Sequence, residues 1–216
     1  MFDGTYFHKK DCFLILMDTQ SQDVILYDSV EKEGYQTSYP RFRKLREQGL
    51  KPRFVTMDGH IHVMRSFREV WPGIKIQRCL YHIQREGMRW LRTYPKTKAG
   101  QELRSLLAQV CNIRTLKERD TWIGNYQRWL DCYRKFVKSL PRSDVACKDL
   151  KKTMVLIDHA LPDMFHYLDD QKVESTCNRI EGLFSRLKAD FRRHRGLSDD
   201  HKKAYLKWYC YFHNHR

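Results

Sequence analysis

The first 30 residues alternate short strand-like runs with short polar turns, and this pattern restricts the fold more than any other feature of the chain. The runs lie at Asp3–Phe7, Cys12–Met17 and Val24–Tyr27. Runs of this length are typical of strands, and the turns between them are too short for a crossover. The sequence therefore predicts three antiparallel strands at the start of the chain.

Helix and strand patterns then alternate up to about residue 91. Helices are predicted at Tyr39–Gln48, Ile61–Val70 and Leu80–Leu91, and strands at Pro52–Met57 and Ile74–Gln77. Strands joined through helices add to a sheet by crossovers, which place helices on its faces. The order β-β-β-α-β-α-β predicts an α/β fold (an α+β mixed sheet), and this strand order is that of RNase H-like folds.

Strand patterns stop in the second half of the chain, where apolar residues recur at helical spacing. We predict an all-helical insertion at residues 98–166, placed before the final helix with the catalytic candidate. The core would then comprise residues 1–97 and, as its final helices, residues 167–216. The insertion's Trp122, Tyr126 and Trp129 are predicted to be core residues. The alternative is that one of them stacks on an unpaired base.

The composition favours a polyanionic partner. The chain has 41 Lys and Arg against 26 Asp and Glu, which gives a net charge of +15. A charge of this size favours nucleic acid, because each neutralised phosphate releases a counterion. Seven cysteines without a secretory segment indicate a reduced, cytoplasmic compartment. No apolar stretch is long enough to span a membrane, so no membrane partner is expected.

Three carboxylates stand where a metal site could form. Asp3 lies on the first strand, and Asp58 ends the fourth strand just before Gly59. Carboxylates at neighbouring strand ends suit Mg²⁺ or Mn²⁺, and a third carboxylate would allow a site for two ions. The candidate is Glu181, beside the apolar stripe of a predicted helix. Glu174 is its rival, although it precedes that helix.

A basic segment follows Glu181 directly. We expect its cationic side chains to contact DNA phosphates, although a solvated surface would show the same composition. The DNA-binding candidates are Lys188, Arg192, Arg193 and Arg195.

Three stretches resemble the DDE transposases of bacterial insertion sequences, particularly the IS256-like and Mutator-like group. The first is Asp3–Phe7 (DGTYF). The second joins Val55–His60 (VTMDGH) to Gln77–His82 (QRCLYH), and the third joins Ser175–Gly182 (STCNRIEG) to His194–Ser198 (HRGLS). Each motif alone is weak, but their order and spacing together are fairly specific.

The resemblance implies metal-dependent DNA strand cleavage and transfer. Asp3, Asp58 and Glu181 match the catalytic, metal-binding acids of that group, with Mg²⁺ or Mn²⁺ as cofactor, as two ions. The implied partners are the DNA of the element ends and of the target. A homo-oligomer would assemble on this DNA, and the protein would be associated with the nucleoid.

The same resemblance assigns supporting roles near the active site. Cys79 and His82 match a Cys-x-x-His motif that follows the second acid, and Asn178 matches the motif before the Glu. This chain has Cys177 where the group usually has Thr. Cys79 and His82 supply two ligands, whereas a structural zinc site needs four. We therefore expect them to support the active site, with zinc as the alternative.

Two other functions remain open at this point. One is a different RNase H-like nuclease, such as a hydrolase of DNA junctions or of RNA–DNA hybrids. The other is a decayed or truncated transposase that binds DNA without catalysis. Asp3 lies two residues after Met1, whereas relatives carry an N-terminal DNA-binding region before this point, and we therefore expect a partial chain.

Overall fold

The computed structural model describes residues 1–8, 11–141, 143–194 and 196–215. The chain divides into two compact units. The core unit contains Met1–Gln77 and Lys172–Arg216, and the helical unit contains Arg78–Gln171. The predicted insertion at residues 98–166 falls inside the helical unit, which begins earlier and includes the helix that precedes the insertion.

The core unit opens with an antiparallel sheet, as the sequence predicts. Its strands are β1 (Phe2–His8), β2 (Asp11–Met17) and β3 (Val24–Val30), in the spatial order β1-β2-β3. Asp3 on β1 lies opposite Ile15 on β2. The central strand β2 is buried from Cys12 to Met17, which explains why its sequence is a continuous apolar run rather than an alternating one.

Helices cover both faces of this sheet. Alternate residues of a strand point to opposite faces, so Phe2 and Leu14 pack into one apolar cluster, whereas Phe13 and Ile15 pack into another. The first cluster includes residues of α1 (Tyr35–Glu47) and α2 (Ile61–Val70), and the second includes residues of α7 (Asn178–Phe191) and α8 (Asp199–Asn214). Asp3 is paired with Ile15, and paired residues of neighbouring strands point to the same face of a sheet. Asp3 therefore faces the side of the sheet that α7 covers.

Two details differ from the sequence prediction. Helix α1 begins at Tyr35, one turn before the predicted Tyr39, and Pro40 lies inside it. A proline removes one backbone hydrogen bond, and the helix tolerates this loss near its start. In addition, β4 (Phe54–Met57) and β5 (Lys75–Arg78) pair only with each other in the described ranges. The predicted single mixed sheet is therefore two sheets, although β4 lies beside β1.

The helical unit has one apolar core, formed mainly by four helices. The rings of Trp122 and Tyr126 stack at 5.7 Å, and those of Tyr126 and Trp129 at 6.0 Å. Both indole N–H groups donate to backbone carbonyls at 2.8 and 2.9 Å. The predicted core role of these three residues is confirmed, because none is more than 3% exposed. The helices are α3 (Leu80–Leu91), α4 (Lys98–Val110), α5 (Leu116–Ser139) and α6 (Val145–Ala160).

Among the residues described, we find no helix with the length and apolar character needed to cross a membrane.

Candidate metal centre and nucleic-acid interface

Asp3 is a buried carboxylate on an edge strand of the three-stranded sheet. It is 9% exposed, and its Oδ1 accepts a hydrogen bond from the backbone N–H of Gly4 at 2.9 Å. Burying an ionised carboxylate carries a free-energy cost unless hydrogen bonds or cations compensate it. A buried Asp on the face covered by α7 is therefore a strong candidate for a functional group.

The segment before α7 is fixed against two strands of the core unit. The buried Sγ of Cys177 lies 3.5 Å from the carbonyl oxygen of Thr56 on β4 and 3.9 Å from that of Phe2 on β1. The hydroxyl of Thr56 donates to the carbonyl of Glu174 at 2.7 Å. These contacts place the start of α7 beside the strand that carries Asp3.

Glu181 lies on the first turn of α7 and meets Asp3. One carboxylate oxygen of each residue lies within 4.8 Å of the other. Glu181 is half-buried, because the apolar stripe next to it packs into the core. That stripe consists of Ile180, Leu183, Phe184 and Leu187. Two carboxylates at this separation provide hard oxygen ligands of the kind that Mg²⁺ and Mn²⁺ prefer.

Asp58 follows the last residue of β4 and is half-buried. Its Oδ1 accepts a hydrogen bond from the backbone N–H of His60 at 3.0 Å, which fixes a tight turn between β4 and α2. Asp58 is not among the described side chains grouped with Asp3 and Glu181 within 4.8 Å. The rival carboxylate, Glu174, forms an ion pair at 2.8 Å with Arg179.

A further carboxylate, that of Glu33, lies close to β1 at Gly4. A Cβ placed on Gly4 would lie 2.8 Å from Oε2 of Glu33, so that glycine allows Glu33 to approach β1 closely. Burial, and then the charge of Glu33, raise the pKa of the Cys12 thiol to about 12, and Asp3 acts in the same direction. The carboxyl groups of Asp3 and Glu33 thus both lie near the Cys12 thiol.

The four predicted DNA-binding residues differ in their surroundings. The ammonium group of Lys188 lies 5.7 Å from the ring centre of Phe7. Arg192 is exposed, whereas Arg193 pairs with Asp190 at 3.4 Å. Arg195 lies outside the residues that the structure describes. Lys188 and Arg192 are thus the two whose charges are presented to solvent without a carboxylate contact within the described ranges.

The predicted supporting residues fall in both units. Asn178 is the exposed first residue of α7 in the core unit. Cys79 is buried and directly precedes α3, and His82 is half-buried in the first turn of that helix. No group of three close metal ligands that includes Cys79 is found among the described residues.

Sequence reasoning missed the structural role of Thr56 and Cys177. Both lie within the motifs that carry the resemblance, but their partners are distant along the chain: 118 residues for Thr56 with Glu174 and 175 residues for Cys177 with Phe2. For Thr56, the available signal was a small polar residue in a buried strand, which requires a hydrogen-bond partner.

A basic chain with an α/β core and two facing carboxylates has the features of a protein that acts on nucleic acid. The chain belongs to the Mutator family of transposases, because the model of that family ("Transposase, Mutator family") matches residues 15–200. Asp58 and Glu181 lie within the matched region, and Asp3 precedes it. No curated protein matches the sequence. As a transposase, the protein acts on DNA.

Proposed function

We propose that this transposase cleaves and transfers DNA strands in a reaction that depends on divalent metal ions, Mg²⁺ or Mn²⁺. Asp3, Asp58 and Glu181 would hold the ions as a DDE triad. The observation that carries the proposal is the approach of the Asp3 and Glu181 carboxylates to within 4.8 Å, in a chain of a transposase family.

The proposal includes an RNase H-like core. Its support is the element order: three antiparallel strands, then α1, β4, α2 and β5. In such an arrangement β1 and β4 are neighbours, and here they lie side by side. Asp3 and Asp58 then belong to adjacent strands, and Glu181 approaches from the helix that packs on the same face of the sheet.

The three carboxylates would hold the divalent ions in the site and orient them. When bound, two divalent ions would stabilise the attacking and leaving oxygens of the phosphoryl transfer. Asp3 is fixed by its strand, and Glu181 by the packing of α7. Asp58 lies on the turn after β4, where only one of its oxygens accepts the hydrogen bond from His60. To complete the proposed site, the carboxylate of Asp58 would have to turn toward those of Asp3 and Glu181.

The proposed DNA contacts use the basic segment after Glu181. Lys188 and Arg192, with Arg193 and Arg195 beside them in sequence, would bind backbone phosphates of the element ends or the target. The chain would act as a homo-oligomer on DNA, in the cytoplasm at the nucleoid. The family match favours this function over that of another nuclease with a similar fold.

The test is cleavage of supercoiled DNA that carries the flanks of the gene, with Mg²⁺ or Mn²⁺. Asp58→Asn keeps the shape of the side chain and removes its charge. We expect cleavage to fall by at least about 100-fold, since metal stabilisation of such transition states is worth several kcal/mol. Affinity for DNA should change little.

Asp23→Asn is the matched control, because Asp23 is an exposed aspartate in the turn before β3. It should cleave at the wild-type rate. Cleavage by Asp58→Asn at the wild-type rate, or cleavage that persists in EDTA, would contradict the proposal. A wild-type chain that binds DNA and never cleaves it would support a binding function without catalysis.

A further inference from the structure

A second cluster of cations lies in the core unit at the start of β4, separate from the basic segment after Glu181. The backbone N–H of Lys75 donates to the carbonyl of Arg53 at 3.1 Å, so the chain segments that enter β4 and β5 lie side by side. A cavity of about 560 Å³ opens at this point. Four cationic residues line it, which are Arg46, Lys51, Arg53 and Lys75.

The charge of this cavity is positive, because no Asp or Glu belongs to its described walls. Two acids that are near the cations in sequence pair with other arginines. Glu47 pairs with Arg43 at 2.9 Å, and Glu69 pairs with Arg65 at 2.7 Å. A concave surface with several uncompensated cations attracts a polyanion.

Three of the four cationic side chains are held in place by the protein. The guanidinium of Arg46 donates to the carbonyl of Val70 at 2.6 Å, and a guanidinium has four further N–H donors. The charged groups of Arg53 and Lys75 lie 5.2 and 6.0 Å from the ring centre of Phe54. Side chains that are already ordered lose less conformational entropy when a ligand binds.

The cations come from three segments of the chain, which are the last turn of α1, the approach to β4 and the start of β5. A single free phosphate offers one point of charge. A DNA strand offers one phosphate for about every 3.4 Å of helix axis, so it can contact cations from all three segments.

We propose that this cavity binds backbone phosphates of DNA at a distance from the candidate metal centre. Phe54 begins β4 and Asp58 follows its last residue, and four residues of strand span about 13 Å. The cavity would therefore hold part of the DNA that does not react. The inference rests on the proposed function only in that the protein acts on DNA, and it adds a second contact surface.

A pair of lysines outside the cavity controls for general attraction. Lys51→Gln with Lys75→Gln removes two charges from the cavity. Lys32→Gln with Lys44→Gln removes the same charge from two exposed lysines that do not line it. Both double variants therefore change the net charge of the protein equally.

The experiment is fluorescence anisotropy in EDTA with two blunt duplexes of unrelated sequence, at several salt concentrations. The cavity variant should have a salt dependence shallower by about 1.8 units, from two lost phosphate contacts at about 0.9 each. If its affinity extrapolated to 1 M salt is unchanged, it should bind both duplexes about 60-fold more weakly at 0.1 M salt. The control variant should keep the wild-type slope.

Hydrogen exchange locates the contact without any substitution. When the wild type binds duplex DNA in EDTA, amide exchange should slow in peptides that cover residues 50–54 and 72–76. Circular dichroism verifies that the variants fold. If the double variant does not fold, Lys51→Gln alone decides the question, because Lys51 is exposed, and its slope should be shallower by about 0.9 units.

An unchanged slope in the cavity variant, or an equal change in the control variant, would overturn the proposal. Unchanged exchange at residues 50–54 and 72–76 would also overturn it. A difference between the variants that disappears when phosphate replaces chloride at equal ionic strength would assign the cavity to free phosphate instead. EDTA prevents metal-dependent cleavage, so a protein that binds through this cavity and never cleaves would refute the catalytic proposal only.

Discussion

Thr56→Val tests whether the contacts before α7 position the candidate site. Thr56 is 2% exposed, and its hydroxyl donates to the carbonyl of Glu174 at 2.7 Å. Valine has nearly the same shape, but it leaves that carbonyl without this donor. A buried acceptor that loses its partner costs about 1–3 kcal/mol. Glu174 is half-buried, so water replaces part of the bond, and we expect about 1–2 kcal/mol of destabilisation.

Hydrogen exchange measured by mass spectrometry shows which part of the chain Thr56→Val destabilises. A loss of about 1–2 kcal/mol in local stability speeds amide exchange by about 5- to 30-fold. This change should be confined to peptides that cover residues 172–183 and β4. Peptides from α6, in the helical unit, should exchange as in the wild type.

Two variants control the interpretation. Thr56→Ser keeps the hydroxyl and should retain most of the protection at residues 172–183. Thr121→Val removes an exposed hydroxyl that bonds within α5 to Lys117, and it should change stability by no more than about 0.5 kcal/mol. Unchanged exchange in Thr56→Val, or equal acceleration in Thr56→Ser, would refute the positioning role of this hydrogen bond.

Two glycines of the helical unit should respond to alanine with opposite signs. In Gly87→Ala the new Cβ would lie 2.5 Å from Cδ1 of Leu107, which is fully buried, and we expect a loss of about 1–3 kcal/mol from overpacking. In Gly124→Ala the Cβ meets nothing within 4 Å, and alanine should stabilise α5 by about 0.5–1 kcal/mol. Urea denaturation measures the free energy of unfolding of both variants. A change of the same sign in the two variants would contradict the packing described for α3 and α4.

Local sequence patterns were sufficient to predict most of the secondary structure. The apolar run at Cys12–Met17 and the helical spacing of Trp122, Tyr126 and Trp129 reflect burial directly, and both features were predicted correctly. The start of α1 was not, because Pro40 makes the residues before it look non-helical. The cost of one proline is offset by packing that a local window does not contain.

Strand pairing and the geometry of the candidate site depend on distant contacts. The sequence suggested that the carboxylates of Asp3, Asp58 and Glu181 would meet. The structure brings those of Asp3 and Glu181 together, while Asp58 lies on the turn between β4 and α2. The separation of the five strands into two sheets could not be foreseen, because pairing is decided by tertiary packing. Cys177, which lies between β1 and β4, contacts backbone carbonyls from both strands.

Crystals that contain manganese would show whether Asp3, Asp58 and Glu181 hold divalent metal ions, as proposed above. The most direct measurement is anomalous diffraction from crystals of the chain grown with Mn²⁺. We expect an anomalous peak within bonding distance of carboxylate oxygens of Asp3 and Glu181, with the carboxylate of Asp58 turned toward them. Manganese that binds elsewhere, or crystals saturated with Mn²⁺ that show no peak between Asp3 and Glu181, would contradict it.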